Sequence, residues 1–312
     1  MRDVGGEAGF GGVTGGQACV KPLVGLNLRG FMPTEGLHVI AYSATLDVPR
    51  EQVLRLAASL RREQHRLGTR RGRRSLGCFR QAVLTLRWFF DGTRVCQLAR
   101  DNGISVATAY RRLHEGIAVL AAQAPDIHTA LERAKAAGLT HLLLDGTLVH
   151  TDRVSARTVS AEGSKIDLWY SGKHAHHGGN VQVIASPDVF PLWTSPVEPG
   201  STHDLVAARL HVLPALYKAA AEGLVTLTDL GYVGAGIGIR HPVKRRPGNR
   251  LAEEHLAYNA LQTGLRAIGE RANSLLKTTF KALRHVSLDP SRIGDIAAAA
   301  LILLQWKHNR TT

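Results

Sequence analysis

The chain has 312 residues, enough for one large domain or two of ordinary size, and its 44% hydrophobic but only 5% aromatic content describes a soluble globular protein with an aliphatic interior. Lys and Arg number 39 against 25 Asp and Glu, a formal net charge of +14 that favours a polyanionic partner, nucleic acid first, over the plainer alternative of a basic protein with no such partner. The three cysteines, Cys19, Cys78 and Cys96, form no CxxC pair and indicate neither a disulfide framework nor a zinc site; the most apolar stretch, 296–304, is too short to cross a bilayer, and the N-terminus carries no export signal, so a cytoplasmic, nucleoid-associated protein is expected.

Residues 1–37 are crowded with glycine and show no sustained period, so a flexible segment is predicted there. From Ser43 the pattern turns helical, with Val53, Leu54, Leu56 and Leu60 at helical spacing. The run from Arg61 to Arg74 that follows holds seven arginines and suits either a solvated loop or a phosphate-contacting one. A second helix is predicted over CFRQAVLTLRWFFDG. The next stretch, within 92–118, reads as helix, tight turn, helix: Val95, Leu98 and Ala99 give an apolar face, Gly103 can take the positive φ of the turn, and Ser105 can cap the helix from Val106 onward. Ala109, Leu113 and Ile117 should face inward, leaving Thr108, Tyr110, Arg111 and Arg112 on or near the outer side, where they suit the major groove of DNA. An ordinary pair of packed helices is the alternative. These elements define a helical DNA-binding domain over 38–125.

After an alanine-rich connection around 126–138 the pattern changes. THLLLDGTLVH reads as a buried strand ending at Asp145, further strands are predicted over 165–171, 179–185 and 190–195, and LVTLTDLGY repeats the first pattern with Asp229 after a strand. A mostly helical stretch over 251–285 places Glu270, Asn273 and Lys277 on one face, and a last helix over 293–307, with Ser291 as its cap, should pack on the sheet. The fold class is therefore α/β, an all-α domain followed by a mixed-sheet domain over 135–312. Two strand-end aspartates and a helical glutamate can gather three hard oxygen ligands for Mg²⁺, an ion that takes one or two carboxylates, waters and phosphate oxygens. Two such ions about 4 Å apart suit phosphodiester chemistry. Each acid has a plainer reading: Asp145 as an Asp-Gly turn residue, Glu270 as a solvated charge paired with Lys277 or Arg266.

DGT at Asp145, YSGKHAHHGGNVQVIA from Tyr170, PGSTHD ending at Asp204, TDLGY at Asp229 and GERANSLLK around Glu270 follow one another in order. Together they resemble a DDE-type insertion-sequence transposase, of the insertion-sequence family five branch related to Harbinger elements. The resemblance covers residues 80 to 308. It implies a ribonuclease-H-like catalytic domain preceded by a helix-turn-helix, cleavage at element ends, and joining of the freed 3′-hydroxyls to target DNA with Mg²⁺, for which Mn²⁺ can substitute. It assigns the acidic triad to Asp145, Asp229 and Glu270, with Asp204 as a supporting metal ligand; the alternative for Asp204 is a charge at a helix N-terminus. Lys173, Arg271 and Lys277 become DNA contacts near the site, and Tyr232 and Asn273 become groups that orient carboxylates. The cluster His174, His176 and His177 lacks cysteine partners and reads as a loop near DNA. The expected partner is double-stranded DNA, element ends and target, bound by a homo-oligomer. A catalytically inactive DNA-binding relative and a nuclease that cuts without joining are the other readings of the same residues.

Overall fold

The computed structural model describes residues 45–310 except 71, 160–162, 246–247 and 249, and of 265–270 it describes the backbone alone. The glycine-rich segment 1–37 lies outside the described residues. Val48 to Thr312 form one compact unit.

The unit opens with helices α1 (Arg50–Arg66), α2 (Cys78–Asp91), α3 (Val95–Asn102) and α4 (Val106–Ala121). α1 forms because Val53, Leu56, Ala57 and Leu60 repeat at three and four residues and all are buried. α3 stops at Gly103, whose φ of 61° lets the Gly103 and Ile104 amides bond back to the Arg100 and Ala99 carbonyls. Ser105 then caps α4, its Oγ accepting from the Thr108 amide at 3.2 Å. Ala109, Leu113 and Ile117 are fully buried, as their spacing requires. The stretch over 126–138, read as a connection, is instead the helix α5 (Ile127–Ala136). Its Asp126 cap accepts from Thr129, and alanine, which was taken for loop composition, is the strongest helix former.

The second half is built on a mixed sheet. Its strands are β1 (His141–His150), the small separate hairpin β2 (Arg157–Val159) with β3 (Lys165–Asp167), β4 (Tyr170–Ser171), β5 (His176–Ala185), β6 (Pro191–Thr194) and β7 (Glu198–Pro199). Helices α6 (Asp204–His211) and α7 (Leu213–Ala221), strands β8 (Val225–Leu227) and β9 (Ile239–Arg240), and helices α8 (Glu253–Thr279) and α9 (Ile293–Lys307) complete it. The order is β4-β5-β1-β8-β9, with β6 and β7 also paired to β5. β1 runs antiparallel to β5 and parallel to β8, and β8 runs parallel to β9.

Alternation along β1 divides the core. Leu142 and Leu144 join Ile184, Leu216 and Tyr232 under α5, α6 and α7, while Leu143 packs with Ala185 and Leu227 against Ala272 of α8. α9 is apolar around its whole circumference because it touches both halves, α4 on one side and β5 and β6 on the other.

Four expectations are corrected. β1 does not end at Asp145; it continues to His150, paired throughout with β5, so the Asp-Gly step is inside a strand and not a turn. The single strand over 165–171 is two short strands joined by a turn, β3 and β4 pairing with different partners. The helix over 251–285 ends at Thr279 and is followed by a 3-10 turn over Lys281–Leu283. Ser291 does not cap α9; it sits inside a 3-10 turn over Pro290–Arg292 that Asp289 caps, its carboxylate accepting from the Ser291 amide.

Candidate active site

Adjacent parallel strands carry the two aspartates to one level. Leu143 of β1 is in register with Leu227 of β8, and Asp145 and Asp229 each lie two residues further on. Since side chains alternate along a strand, the Asp145 carboxylate projects from the face that Leu143 shares with Leu227, toward α8, while Asp229 follows the end of β8. Asp229 also caps a 3-10 turn over Leu230–Tyr232, its Oδ1 accepting from the Gly231 amide at 2.8 Å. α8 crosses this face and supplies Asn273, whose Nδ2 donates to Asp145 Oδ2 at 2.8 Å. One turn further on, Lys277 donates to the Leu148 carbonyl at 2.9 Å. Burial lowers the Lys277 pKa, with the Asp145 charge pulling the other way. Glu270 lies on α8 one turn before Asn273, and its side chain is outside the described residues. Arg271 is exposed on the same helix.

Asp204 reaches the site differently. It begins α6, and its carboxylate lies where a side chain on Gly146 would be: a Cβ there would stand 2.5 Å from Asp204 Oδ1 and 2.9 Å from Gln182 Nε2. The direction from Gly146 is opposite to that from Asp145, so Asp204 belongs to the other side of β1. A chain of hydrogen bonds holds it. Tyr232 Oη donates to Gln182 Oε1 at 2.5 Å, Gln182 Nε2 donates to Asn180 Oδ1 at 2.9 Å, and Asn180 Nδ2 donates to Asp204 Oδ1 at 2.7 Å. Lys173, on the turn between β4 and β5, closes the chain from the solvent side, Nζ to Asp204 Oδ2 at 3.0 Å. Burial would lower the Lys173 pKa, but the bond to Asp204 and the charges of Asp204, Asp229 and Asp145 together raise it. The Tyr232 hydroxyl is pushed well above its ordinary pKa by burial and then by the same three carboxylates, so it remains a donor. Tyr232 thus orients Asp204 through two amides, and its bond to Asp229 runs from backbone amide to backbone carbonyl at 3.2 Å. Gly146, Asn180 and Gln182 escaped the sequence reading. Their signal was present in GGNVQV, where two amides two residues apart interrupt an apolar strand on one face.

A family model of DDE superfamily endonucleases matches residues 144–305, a span that opens one residue before Asp145 and contains every acid described above. The chain belongs to this family. Searches of curated proteins and of solved structures gave no match. Endonucleases of the family use divalent metal ions, and the donor set of this chain fits one. Asp145 and Asp229 offer hard carboxylate oxygens at one level, and such an ion needs only one or two of these besides water and phosphate. Among the described residues no group of three or more His, Cys, Asp or Glu that could hold a metal ion stands together.

Of the remaining residues singled out in the sequence, His174 stands near this centre, where burial and then the Lys173 charge lower its pKa while Asp204 acts the other way. Tyr110 is exposed and stacks on His114, and Arg111 is exposed and bonds Thr108 Oγ1 at 3.0 Å. Arg112 points inward, paired with Glu115 at 3.0 Å beside Arg74. His176 stacks on His150 with ring centroids 4.7 Å apart, and His177 lies 3.6 Å from Asp167. Among the described residues no helix is long and apolar enough to cross a membrane.

Proposed function

We propose that this DDE endonuclease is a DNA transposase of the insertion-sequence family five type, cutting at element ends and joining 3′-hydroxyls to target DNA. The observation that carries the reading is the level placement of Asp145 and Asp229 on adjacent parallel strands, with α8 laid across them. The strand order, three antiparallel strands followed by two parallel ones, supports a ribonuclease-H-like catalytic domain within 135–312. Asp145, Asp229 and Glu270 are the catalytic acids in this reading.

Mg²⁺ bound there, or Mn²⁺ in its place, supplies Lewis-acid stabilisation of the phosphate and of the attacking oxygen. The chain's own residues do the positioning. Asn273 fixes the direction of the Asp145 carboxylate, and the Tyr232, Gln182 and Asn180 chain holds Asp204 and through it Lys173 beside the two aspartates. Lys173 is largely exposed, so the same ammonium that Asp204 holds at 3.0 Å can also meet a DNA phosphate. Asp204 acts as that anchor; lying on the other side of β1 from the Asp145 carboxylate, it is a charge at a helix start and not a ligand to the same ion.

The α3–turn–α4 unit is the helix-turn-helix of this reading, belonging to the helical part within 38–125. Thr108, Tyr110 and Arg111 then face the DNA, whereas Arg112 serves first to hold Glu115. Double-stranded DNA is the partner, and a homo-oligomer bridges two element ends. The test is cleavage and strand transfer on a labelled duplex carrying the element's ends, with Mg²⁺ or Mn²⁺. Wild type should cut and join, while Asp145→Asn, Asp229→Asn and Glu270→Gln lose both and still bind the duplex. Binding without cleavage by the wild type would instead establish the inactive, DNA-binding alternative, and cutting without joining would leave a nuclease.

A further inference from the structure

A cleft of about 290 Å³ opens between the α2–α3 corner and the segment after α8, lined by Arg94, Lys281, Arg284 and His285 together with the single carboxylate Asp91. Asp91 stands 4.0 Å from Arg87 Nε and also interacts with the Lys281 charge, one carboxylate against four basic groups. Arg94, Lys281 and His285 are exposed. Arg94 makes no side-chain cap to α3, and Arg284 is held in place by its bonds to the Lys277 and Thr278 carbonyls. The local balance is therefore strongly cationic.

This cleft is connected to the catalytic face. The Val286 amide, next to His285, donates to the His150 carbonyl at 2.8 Å, and Lys277 of α8 donates to the Leu148 carbonyl at 2.9 Å. The segment lining one side of the cleft is thus tied to the strand that carries Asp145, and Arg94 at the start of α3 lines the other side. Two guanidiniums and an ammonium around one cleft match the negative charges of a phosphodiester backbone.

We propose that the cleft lined by Arg94, Lys281, Arg284 and His285 seats a DNA backbone segment, joining the strand held at Asp145 to the duplex held by α3 and α4. The proposal rests on the DNA-processing reading above. Arg94→Gln, Lys281→Gln and the double variant would be compared with wild type for binding to a labelled 30-base-pair duplex across a salt series, with thermal melting to verify folding. Each neutralised phosphate contact contributes a slope of about −0.9 in log K against log salt, so the double variant should flatten the slope by about 1 to 2 and bind about tenfold more weakly. Ser287→Glu, which places a negative charge at an exposed position of the same cleft, should weaken binding at least as much, and it carries the test if the double variant does not fold. Unchanged affinity and slope in folded variants of a wild type that binds and cuts DNA would overturn this inference alone. A wild type that binds no duplex would overturn both it and the reading on which it rests.

Discussion

Replacing Gly146 by alanine places one methyl group where the Asp204 carboxylate now lies. The backbone accepts the change, since Gly146 is not among the glycines at positive φ, and alanine there should even gain about 0.4–1 kcal/mol by restricting the unfolded chain. The space does not accept it: the new Cβ would stand 2.5 Å from Asp204 Oδ1, 2.9 Å from its Cγ and 2.9 Å from Gln182 Nε2. Relief requires α6 or the carboxylate to shift, an overpacking strain of about 1–3 kcal/mol. It also breaks the 2.7 Å bond from Asn180, a charge-assisted contact of about 1.5–3 kcal/mol. Net destabilisation of about 1.5–5.5 kcal/mol is expected after the backbone gain is subtracted. Denaturant unfolding of wild type, Gly146→Ala, Asp204→Ala and the double variant measures it. In the double variant the methyl occupies the vacated space, so the cycle should show a favourable coupling of about 1–3 kcal/mol. A Gly146→Ala protein within about 0.5 kcal/mol of wild type, or additive behaviour with Asp204→Ala, would refute the claim that Gly146 exists to admit Asp204.

Asn273→Ala should lower cleavage about 10- to 100-fold and raise the metal concentration needed for half-maximal rate, because the Asp145 carboxylate loses its orienting amide; an unchanged metal titration would deny it that role. Tyr232→Phe should cost about 1–3 kcal/mol in denaturant unfolding, since it leaves the buried Gln182 Oε1 without its donor, whereas a neutral effect would mean that Gln182 turns to another partner. Glu115 is half-buried, and although burial raises its pKa, the bonds from Arg74, Gln81 and Arg112 lower it further, to a value below the ordinary 4.5. A carboxylate depressed in the folded state contributes stability that is complete above about 4.5 and is lost as pH falls from there through the folded value. Glu115→Gln should therefore destabilise the protein at pH 7 and flatten the acid limb of its stability profile below 4.5, while an acid limb identical to wild type would place the titration elsewhere.

Much of the framework was legible because it obeys local rules. The three- and four-residue repeats of α1 and α4, the Gly103 turn, the Ser105 cap, and the apolar runs before Asp145 and Asp229 each follow from one segment's own chemistry. Local chemistry also misled where two outcomes share one pattern. An Asp-Gly step marks a turn when solvent surrounds it, yet here β5 pairs with β1 from Leu143 to His150, so the strand continues and the glycine becomes a space for Asp204. Over 126–138 Ile127, Ala130, Leu131 and Ala134 recur at helical spacing, and their packing against the sheet makes this helix a layer of the core.

What the sequence by itself determined is the identity and order of the acids and the kind of element that bears each one, because periodicity and capping act over a few residues. The tertiary structure decided that Asp145 and Asp229 stand level, that Asp204 stands behind them held by Tyr232, Gln182, Asn180 and Lys173, and that Arg94 and Lys281 share one cleft. Those relations depend on strand register and on the approach of segments far apart in the chain, and no window of neighbouring residues contains them.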